Sequence, residues 1–530
     1  MSSSKGQSFL HGAAIYTGGI IVVKILGFIY KFILMRILTD QGYAYFKVAY
    51  NIFNVFLTVS TAGIPVALSR MISEAHTLGR ERQARRVFSV AFLTLTALGG
   101  ISTLIMLLFP ENLAIYFGSV HAAEGIFVMA PTVLLVCMIA AFRGYAQGHA
   151  DMVPTTVSQI IETAVKVLAG LSLSVLFARA GKNESITAAG AIAGTTVSSL
   201  VTLVYIFFAV RRRFAFRLSS AAEGEPPEKY AAVFWAFLKI SIPIAISESV
   251  LSLVNLLDTK LVLNQLQVAG FSADASEGLF AVYTKAMDLY NLPYYFVIPL
   301  GASIMPAISA ARVRENHAET RRLAEDALRI MSLLCLPMAA GIAVLSKPCM
   351  ELILNCTAAQ GPALLVMMAI ASYFMTFAVM TNYILPANGY ERVPIYAILA
   401  GGAAKILVNY LLVRNPQIHI YGAPVGTVCC YFTVALVNFI CMARTMKGRV
   451  RLVKILGRSL PAALIMGAAA YAVWMAASRA LSSSFIPFVL SVAVGVAVYG
   501  VLIVALRAIT REDLKMIPHG ERLANLLHIK

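Results

Sequence analysis

The chain has 530 residues, of which 59% are hydrophobic and only 13% are charged, and its formal net charge is +18. Soluble domains carry about a quarter charged residues, so this composition excludes an ordinary soluble protein. Apolar runs of about 20 residues recur from end to end, and each could cross a hydrocarbon core about 30 Å thick. We therefore predict an all-α polytopic membrane protein rather than a barrel of short alternating strands.

The apolar runs predict 14 transmembrane helices. In chain order they cover 13–36, 43–69, 87–109, 125–148, 154–178, 189–210, 233–263, 278–306, 328–347, 361–388, 394–413, 420–443, 459–478 and 484–506.

We expect these spans to form two pseudo-symmetric six-helix lobes followed by a C-terminal helix pair. The predicted divisions are an N-terminal lobe (1–210), a cytoplasmic linker rich in Pro and acidic residues (211–232), a C-terminal lobe (233–445), and spans 13 and 14 with a cytoplasmic tail (446–530).

Two short matches support an internal repeat. GAIAGTTVSSLVTLV (190–204) is similar to GAPVGTVCCYFTVALV (422–437), and MVPTTVSQIIETAVKVL (152–168) is similar to RVPIYAILAGGAAKILV (392–408). Internal repeats are typical of transporters, whose halves rock about a central site.

The basic residues indicate an orientation. With a cytoplasmic N-terminus, the inner segments hold 28 Lys and Arg residues and the outer segments hold 6. The positive-inside rule then places both termini in the cytoplasm, so the charge reflects topology and contact with membrane lipids rather than nucleic-acid binding. The inner segments 69–88 and 309–330 have the pattern of amphipathic surface helices.

Thirteen charged residues nevertheless fall inside predicted spans, apart from Arg36, Arg329 and Lys347 at span ends, which are counted with the flanking segments. A lipid-facing charge at a helix centre costs roughly 2.5–3.5 kcal/mol on insertion scales, so these side chains must pair, reach the headgroups or face water. They are Lys24, Lys31, Lys47, Arg143, Lys166, Lys239, Lys260, Lys285, Lys405, Glu162, Glu248, Asp258 and Asp288.

The stretch FRGYAQGHADMVPTTVSQIIETAVK (142–166) predicts a tight hairpin at the inner surface. Pro154 suits the first turn of the second helix, and Arg143 and Glu162 then lie at similar depths and can pair. Glu162 and Lys166 are four residues apart on one helix face. This group is either a structural ion network or part of a gate, and we assign Glu248, Asp258, Asp288 and Lys405 to the same class.

The excess of positive charge inside the spans favours an anionic ligand in a cavity between the lobes. The predicted cavity lysines are Lys24, Lys31, Lys47, Lys260 and Lys285. The alternative is that the last four extend their ammonium groups to the outer headgroups. Lys24 lies deeper, so this alternative explains it least.

Asparagines fall in the same spans as these lysines. Asn51, Asn54 and Asn291 could bind sugar hydroxyls, as could Asn255. The alternative is that they join helices through hydrogen bonds, which is a common use of polar residues in membranes.

Three motifs resemble one family. RGYAQGHADMVPTTVSQIIE (143–162), LVNLLDT (253–259) and AGIPVALSRMISEA (62–75) are similar to segments of the MOP-superfamily flippases of the SpoVB/MurJ type. The resemblance extends over essentially the whole chain, including 14 spans with both termini inside.

This resemblance implies a substrate and a mechanism. It implies that lipid II, or a related undecaprenyl-diphosphate-linked saccharide, moves from the inner to the outer leaflet by alternating access. Basic residues of spans 1, 2 and 8 line the cavity in the family, which corresponds to Lys24, Lys31, Lys47 and Lys285 here. The family often has Arg at these places, and Lys lacks the bidentate fork of Arg.

The resemblance also bears on coupling and on the last two spans. Some relatives hold a cation with residues of span 7 and the second lobe, where Asp258 could serve or the Lys405 ammonium could take the place of the ion. Spans 13 and 14 correspond to those that form a groove for the lipid tail.

Other functions remain as alternatives. A cation-coupled multidrug exporter of the related MATE group usually has 12 spans and an acidic pocket. A membrane enzyme would need clustered acids or a catalytic histidine, and a scaffold would not need the internal charges. We expect no enzyme activity, no cofactor and no metal site, since the histidines fall in or near loops. A coupling cation or the membrane potential is left open as driving force.

The expected setting is a bacterial plasma membrane, with a monomer acting in peptidoglycan or polysaccharide biosynthesis, cell shape or sporulation.

Overall fold

The computed structural model describes residues 19, 22–61, 63–213, 228–446, 451, 455–481 and 484–506. Within these residues the backbone is helical apart from short turns, and there is no strand. A helix satisfies its own backbone hydrogen bonds, which is why apolar chains adopt it where no water is present.

The described residues form two compact units. The first comprises the residues up to Asn264 together with Ser272–Ala281, and the second comprises Gln265–Phe271 and the residues from Val282 onward.

The helices that begin in the first unit are α1 (22–37), α2 (Asp40–Thr61), α3 (Ile64–Thr77), α4 (Glu81–Leu108), α5 (Pro110–Tyr116), α6 (Ala123–Gly148), α7 (Val153–Arg179), α8 (Glu184–Arg213), α9 (Tyr230–Val268) and α10 (Ala273–Tyr290). The helices of the second unit that follow are α11 (Leu292–Val313), α12 (His317–Val344), α13 (Ser346–Pro348), α14 (Gly361–Ala387), α15 (Val393–Val413), α16 (Gly422–Thr445), α17 (Ser459–Ala480) and α18 (Phe485–Ala505).

Twelve of the predicted spans correspond to helices, or pairs of consecutive helices, that are long and apolar enough to cross a membrane within the described residues. The chain is therefore a multi-pass helical membrane protein. The other two are the first and the seventh predicted spans. Helix α1 (22–37) overlaps the first, and the seventh lies within α9. The total of 14 stays a prediction.

Neither of the two predicted surface helices is one continuous helix, so the prediction of single helices is wrong. The segment 69–88 is divided by a turn, because α3 ends at Thr77 and α4 begins at Glu81. Gly79 occupies the turn with φ of 70°, a conformation that favours glycine. The segment 309–330 is divided in the same way between α11 and α12, where the Asn316 side chain accepts a hydrogen bond from the Glu319 N–H at 3.1 Å. The helical periodicity was correct, but turn and capping residues interrupt it.

The repeated glycine motifs mark the same kind of helix contact in each unit. A Cβ on Gly194 of α8 would lie 2.3 Å from the backbone nitrogen of Gly170 in α7. A Cβ on Gly426 of α16 would lie 1.9 Å from Oδ1 of Asn409 in α15. Small residues let helix backbones approach closely in membranes, so both matches identify the crossing of a helix pair.

The C-terminal pair packs within the second unit. The hydroxyl of Tyr499 in α18 donates a hydrogen bond of 2.6 Å to the Leu333 carbonyl of α12. Gly467 of α17 faces Val344 at the end of α12, 3.2 Å from where its Cβ would be. The main core of this unit lies between α11, α12, α14 and α16, with Ile308, Met331, Met380 and Met442 fully buried.

Candidate functional site

The predicted inner hairpin has the ion pair that the sequence indicates. Arg143, near the end of α6, places Nη2 2.7 Å from Oε2 of Glu162 in α7. Its Nε donates to Oγ of Ser158 at 2.8 Å. The two charged side chains are 15% and 25% exposed, so both are largely removed from solvent. The predicted pairing is confirmed, and its role as network or gate stays a proposal.

Lys166 lies one turn beyond Glu162 and contacts an aromatic ring. Its Nζ is 5.6 Å from the ring centroid of Tyr30 in α1. The Tyr30 hydroxyl donates to the Ala191 carbonyl of α8 at 3.1 Å. Tyr30 thus joins α1, α7 and α8 at the crossing of Gly170 and Gly194.

The lysines of α1 and α2 are at least partly exposed on the surface of the packed helices. Lys24 is exposed, whereas Lys31 and Lys47 are half-buried. Nζ of Lys47 is 5.5 Å from the ring centroid of Tyr43. Cation–π contacts of this kind offset part of the cost of holding an ammonium group in an apolar setting.

One polar face of α2 meets α9. Lys47, Asn51, Asn54 and Thr58 follow a spacing of four, three and four residues, which places them on one side of a helix. Nδ2 of Asn51 donates to Oγ1 of Thr259 at 2.9 Å.

A second hydrogen bond along the same face joins Oγ1 of Thr58 to Oγ of Ser252 at 3.0 Å. Asn51 therefore makes the helix-joining contact that was the alternative to sugar binding. Asn54 is half-buried, and its carbonyl accepts from Thr58.

Thr259 lies between two of the predicted site residues. Asp258 is buried, and the Lys260 ammonium lies over the ring of Tyr116, 3.2 Å from its centroid. The contact between α2 and α9 therefore brings Asn51 close to the segment of Asp258 and Lys260. Glu248, in the same helix, has a side chain outside the described residues.

The predicted site residues of the second unit are more deeply enclosed. Lys285 of α10 is only 1% exposed, and its Nζ donates to the Asn355 carbonyl at 3.1 Å. Asp288 and Lys405 are also buried. Nδ2 of Asn291 donates to the Met287 carbonyl of the preceding turn at 2.7 Å, so this amide supports the junction of α10 and α11.

Sequence reasoning missed the aromatic and hydroxyl partners of these charges. Tyr30, Tyr43 and Tyr116 lie against lysines, and Thr259 receives the Asn51 amide. The spacing of Tyr43 from Lys47, four residues on one helix, was a signal. Tyr116 lies in a separate helix, far in sequence from Lys260, and no spacing indicates that contact.

Comparison with known families and proteins gives consistent results. The family described as "Polysaccharide biosynthesis protein" matches residues 9–312, which is more than half of the chain. An uncharacterized membrane protein of Bacillus subtilis (strain 168), YabM, is 25% identical over 515 residues, covering 96% of this chain and 94% of that protein.

Two further Bacillus subtilis proteins align with most of the chain. Stage V sporulation protein B is 24% identical over 528 residues, covering 98% of this chain and 99% of that protein. The lipid II flippase MurJ is 23% identical over 453 residues, covering 83% of each chain.

Solved structures share the fold. The lipid II flippase MurJ in an inward closed conformation aligns with a TM-score of 0.69 at 14% identity, covering 92% of this chain and 98% of that one. An inward-facing multidrug resistance MATE transporter of the MOP superfamily aligns with a TM-score of 0.64 at 17% identity, covering 78% and 94%. At these identities the likeness concerns the fold alone.

Proposed function

The chain belongs to the polysaccharide biosynthesis protein family, and from this premise we propose that it flips a lipid-linked saccharide across the membrane. The substrate class is an undecaprenyl-diphosphate-linked saccharide, lipid II or a related cell-wall or polysaccharide precursor. It moves from the inner to the outer leaflet by alternating access. A curated relative named as a lipid II flippase, aligned over 83% of both chains, supports this class.

The observation that carries the proposal is the partial or full exposure of three lysines in α1 and α2. Lys24, Lys31 and Lys47 lie in helices of the apolar part of the chain, yet none of them is buried. An ammonium group at membrane depth is costly unless water, an anion or an aromatic ring compensates its charge. A diphosphate offers that anion, and the attraction is strong because little water screens it.

The depth of Lys24 distinguishes binding of a diphosphate from simple contact with lipid headgroups. It lies seven residues before Lys31 in the same helix, which corresponds to about 10 Å along the axis at 1.5 Å per residue. Lys31 is near the predicted outer end of α1 and can reach headgroups. Lys24 is too far from that end for its four-carbon side chain to do the same.

The proposed reaction includes no covalent step. The protein lowers the barrier for moving a charged headgroup through the apolar core, and its lysines supply the compensating charge as point charges. We therefore propose a transporter and not an enzyme. Lys285 and Lys260 remain proposed ligands, and Asp258 and Lys405 remain the residues through which a coupling cation or its substitute could act.

The second candidate is a cation-coupled multidrug exporter, which the likeness to MATE transporters of known structure favours. A pocket for cationic drugs needs acidic residues. Away from the span ends, the charged residues of the predicted spans are instead nine basic and four acidic. This excess of lysine and arginine favours the anionic lipid substrate.

Complementation tests the proposal directly. A strain depleted of its essential lipid II flippase should grow when it expresses the wild-type chain. Lys24→Ala and Lys47→Ala should each reduce that rescue at least tenfold in plating efficiency, because each removes a cation from the diphosphate. Lys24→Arg should rescue growth as the wild-type chain does, because it keeps the positive charge.

Lys239→Ala is the matched control, because Lys239 is an exposed lysine of α9 outside the proposed binding set. Wild-type protein that reaches the membrane and does not rescue would contradict lipid II as substrate. Full rescue by both alanine variants would contradict the role of these lysines. Drug resistance conferred by the wild-type chain without rescue would favour the exporter.

We further propose that the protein acts as a monomer in a bacterial plasma membrane, with both termini in the cytoplasm. Its relatives include a sporulation protein and a lipid II flippase, which supports a role in building cell wall or spore envelope.

A further inference from the structure

Two histidines and a glutamate meet at the end of the first unit that the sequence predicts to be cytoplasmic. Nδ1 of His76 is 2.6 Å from Oε1 of Glu81, and Nε2 of His149 is 3.7 Å from Oε2 of the same carboxylate. The two imidazole rings have their centroids 4.8 Å apart. One ligand atom from each residue fits within 4.8 Å of the other two.

Three helix ends position these side chains. His76 is in the last turn of α3, Glu81 is the first residue of α4, and His149 follows the end of α6. The turn between α3 and α4 is fixed by hydrogen bonds from Gly79 N to His76 O and from Arg80 N to Ala75 O, of 3.0 and 2.8 Å.

The end of α6 is in direct contact with α3. A Cβ on Gly148 would lie 2.7 Å from Cβ of Ile72, so the two helices approach closely beside His149. The cluster is therefore held by packed backbone and not by mobile surface side chains alone.

The hydrogen bond of His149 defines which nitrogen faces the carboxylate. Nδ1 of His149 is 3.0 Å from the Tyr145 carbonyl. A carbonyl oxygen only accepts, so Nδ1 carries a proton. In the neutral ring Nε2 then carries the lone pair, and Nε2 is the atom directed at Glu81. A backbone carbonyl that holds the second nitrogen in this way is the usual partner of a metal-binding histidine.

We propose that His76, Glu81 and His149 bind a divalent transition-metal ion, with Zn²⁺ as the ion that fits best. Two imidazole nitrogens and one carboxylate oxygen are a known zinc ligand set that leaves a fourth position for water. Ligand atoms around a tetrahedral zinc ion are about 3.3 Å apart. The His76 side chain is 51% exposed and can turn to reach this geometry.

The bound ion ties three helix ends together. It holds the turn between α3 and α4 against the end of α6, where the hairpin that contains Arg143 and Glu162 begins. This proposal differs from the expectation of no metal site, because His149 is distant in sequence from the other two ligands and no zinc-binding spacing links them.

Direct metal binding tests this inference without any assay of transport. The full-length chain is purified in detergent with an affinity tag that contains no histidine, treated with a chelator and titrated with Zn²⁺ by calorimetry. We expect one ion per chain, and at least tenfold weaker binding for His76→Ala, Glu81→Gln and His149→Ala. Zn²⁺ should also raise the unfolding temperature of the wild-type protein and of none of these variants.

Co²⁺ provides a second measurement on the wild-type protein. Co²⁺ bound in place of Zn²⁺ should give the visible absorption of a four-coordinate site. Added Zn²⁺ should displace the Co²⁺ and remove this absorption. His317→Ala is the matched control, since His317 is an exposed histidine at the turn between α11 and α12. The His317→Ala variant should bind Zn²⁺ and Co²⁺ as the wild-type protein does.

Two results would overturn the site. One is a wild-type titration without saturable binding at one ion per chain. The other is binding that His76→Ala and Glu81→Gln leave unchanged. These two side chains are more than a third exposed and their substitution spares the core, so the test does not depend on the folding of His149→Ala.

Discussion

Arg143 and Glu162 show what residue-level reasoning can predict in an apolar chain. A charge inside a span is costly, so its presence predicts a partner at the same depth. The hairpin between α6 and α7 supplies that partner at 2.7 Å. The lysines follow the same logic with a different partner, because Lys47, Lys166 and Lys260 lie over tyrosine rings. A single sequence indicates that a buried charge has a partner, but not whether that partner is an acid or an aromatic ring.

Removing one member of the Arg143–Glu162 pair should destabilise the protein. We expect Arg143→Ala to lower the free energy of unfolding by about 1–3 kcal/mol, because a largely buried carboxylate loses a charged hydrogen-bond partner. Arg143→Ala combined with Glu162→Gln should cost less than the sum of the single changes, which gives a coupling energy. Unfolding in detergent, followed by circular dichroism, measures both.

The control for this pair is Arg179→Ala, which removes an exposed arginine from the last turn of α7. It should change stability by less than about 0.5 kcal/mol. Strictly additive effects of Arg143→Ala and Glu162→Gln would show that the pair contributes no coupling.

Helix elements were predicted well, and their interruptions were not. Apolar length decides where a helix can cross a membrane, and length can be read from the chain. The turns at 78–80 and 314–316 depend on left-handed and capping residues, Gly79 and Asn316 among them, inside an unbroken helical periodicity. The glycine matches between the halves were detected in sequence, but their meaning became clear only at the helix crossings.

Gly194→Ala should disrupt the crossing of α7 and α8. A Cβ there would be 2.3 Å from the Gly170 nitrogen and 2.4 Å from its Cα, and these are backbone atoms that cannot turn aside. We expect a loss of about 1–3 kcal/mol from overpacking, or more if the helices separate. Thermal unfolding of the purified protein in detergent provides the measurement.

Gly100→Ala is the matched substitution for this test, because a Cβ at Gly100 of α4 has nothing within 4 Å. It should be neutral or slightly stabilising, as alanine is the better helix former. Equal unfolding temperatures for the two variants would show that the close approach at Gly194 has no energetic consequence.

At the scale of the whole molecule, the orientation in the membrane is predicted from the charge distribution alone. Lysine and arginine are concentrated on one side of the predicted spans, and the positive-inside rule assigns that side to the cytoplasm. The family match and the shared fold agree with a multi-pass membrane protein.

Labelling of single cysteines tests this orientation. In a chain whose seven cysteines are replaced, Lys182→Cys between α7 and α8 should react with a membrane-impermeant maleimide in intact cells. His317→Cys should react only after permeabilisation, because its segment carries the inner excess of positive charge. Lys182 and His317 are both exposed on the protein surface, so a difference in their labelling reports the side of the membrane and not burial. The opposite labelling pattern would invert the topology.

The amino-acid sequence by itself determined that the chain is a helical membrane protein, where most of its spans lie, that its halves share motifs, and that Arg143 can pair with Glu162. These features depend on composition, on apolar length and on contacts between neighbours in the chain.

Only the tertiary structure decided that Asn51 bonds to Thr259, that Lys260 lies over Tyr116, and that His149 joins His76 and Glu81. Each of these contacts joins residues from different helices. Their meeting depends on how whole helices pack, and no local periodicity records that packing.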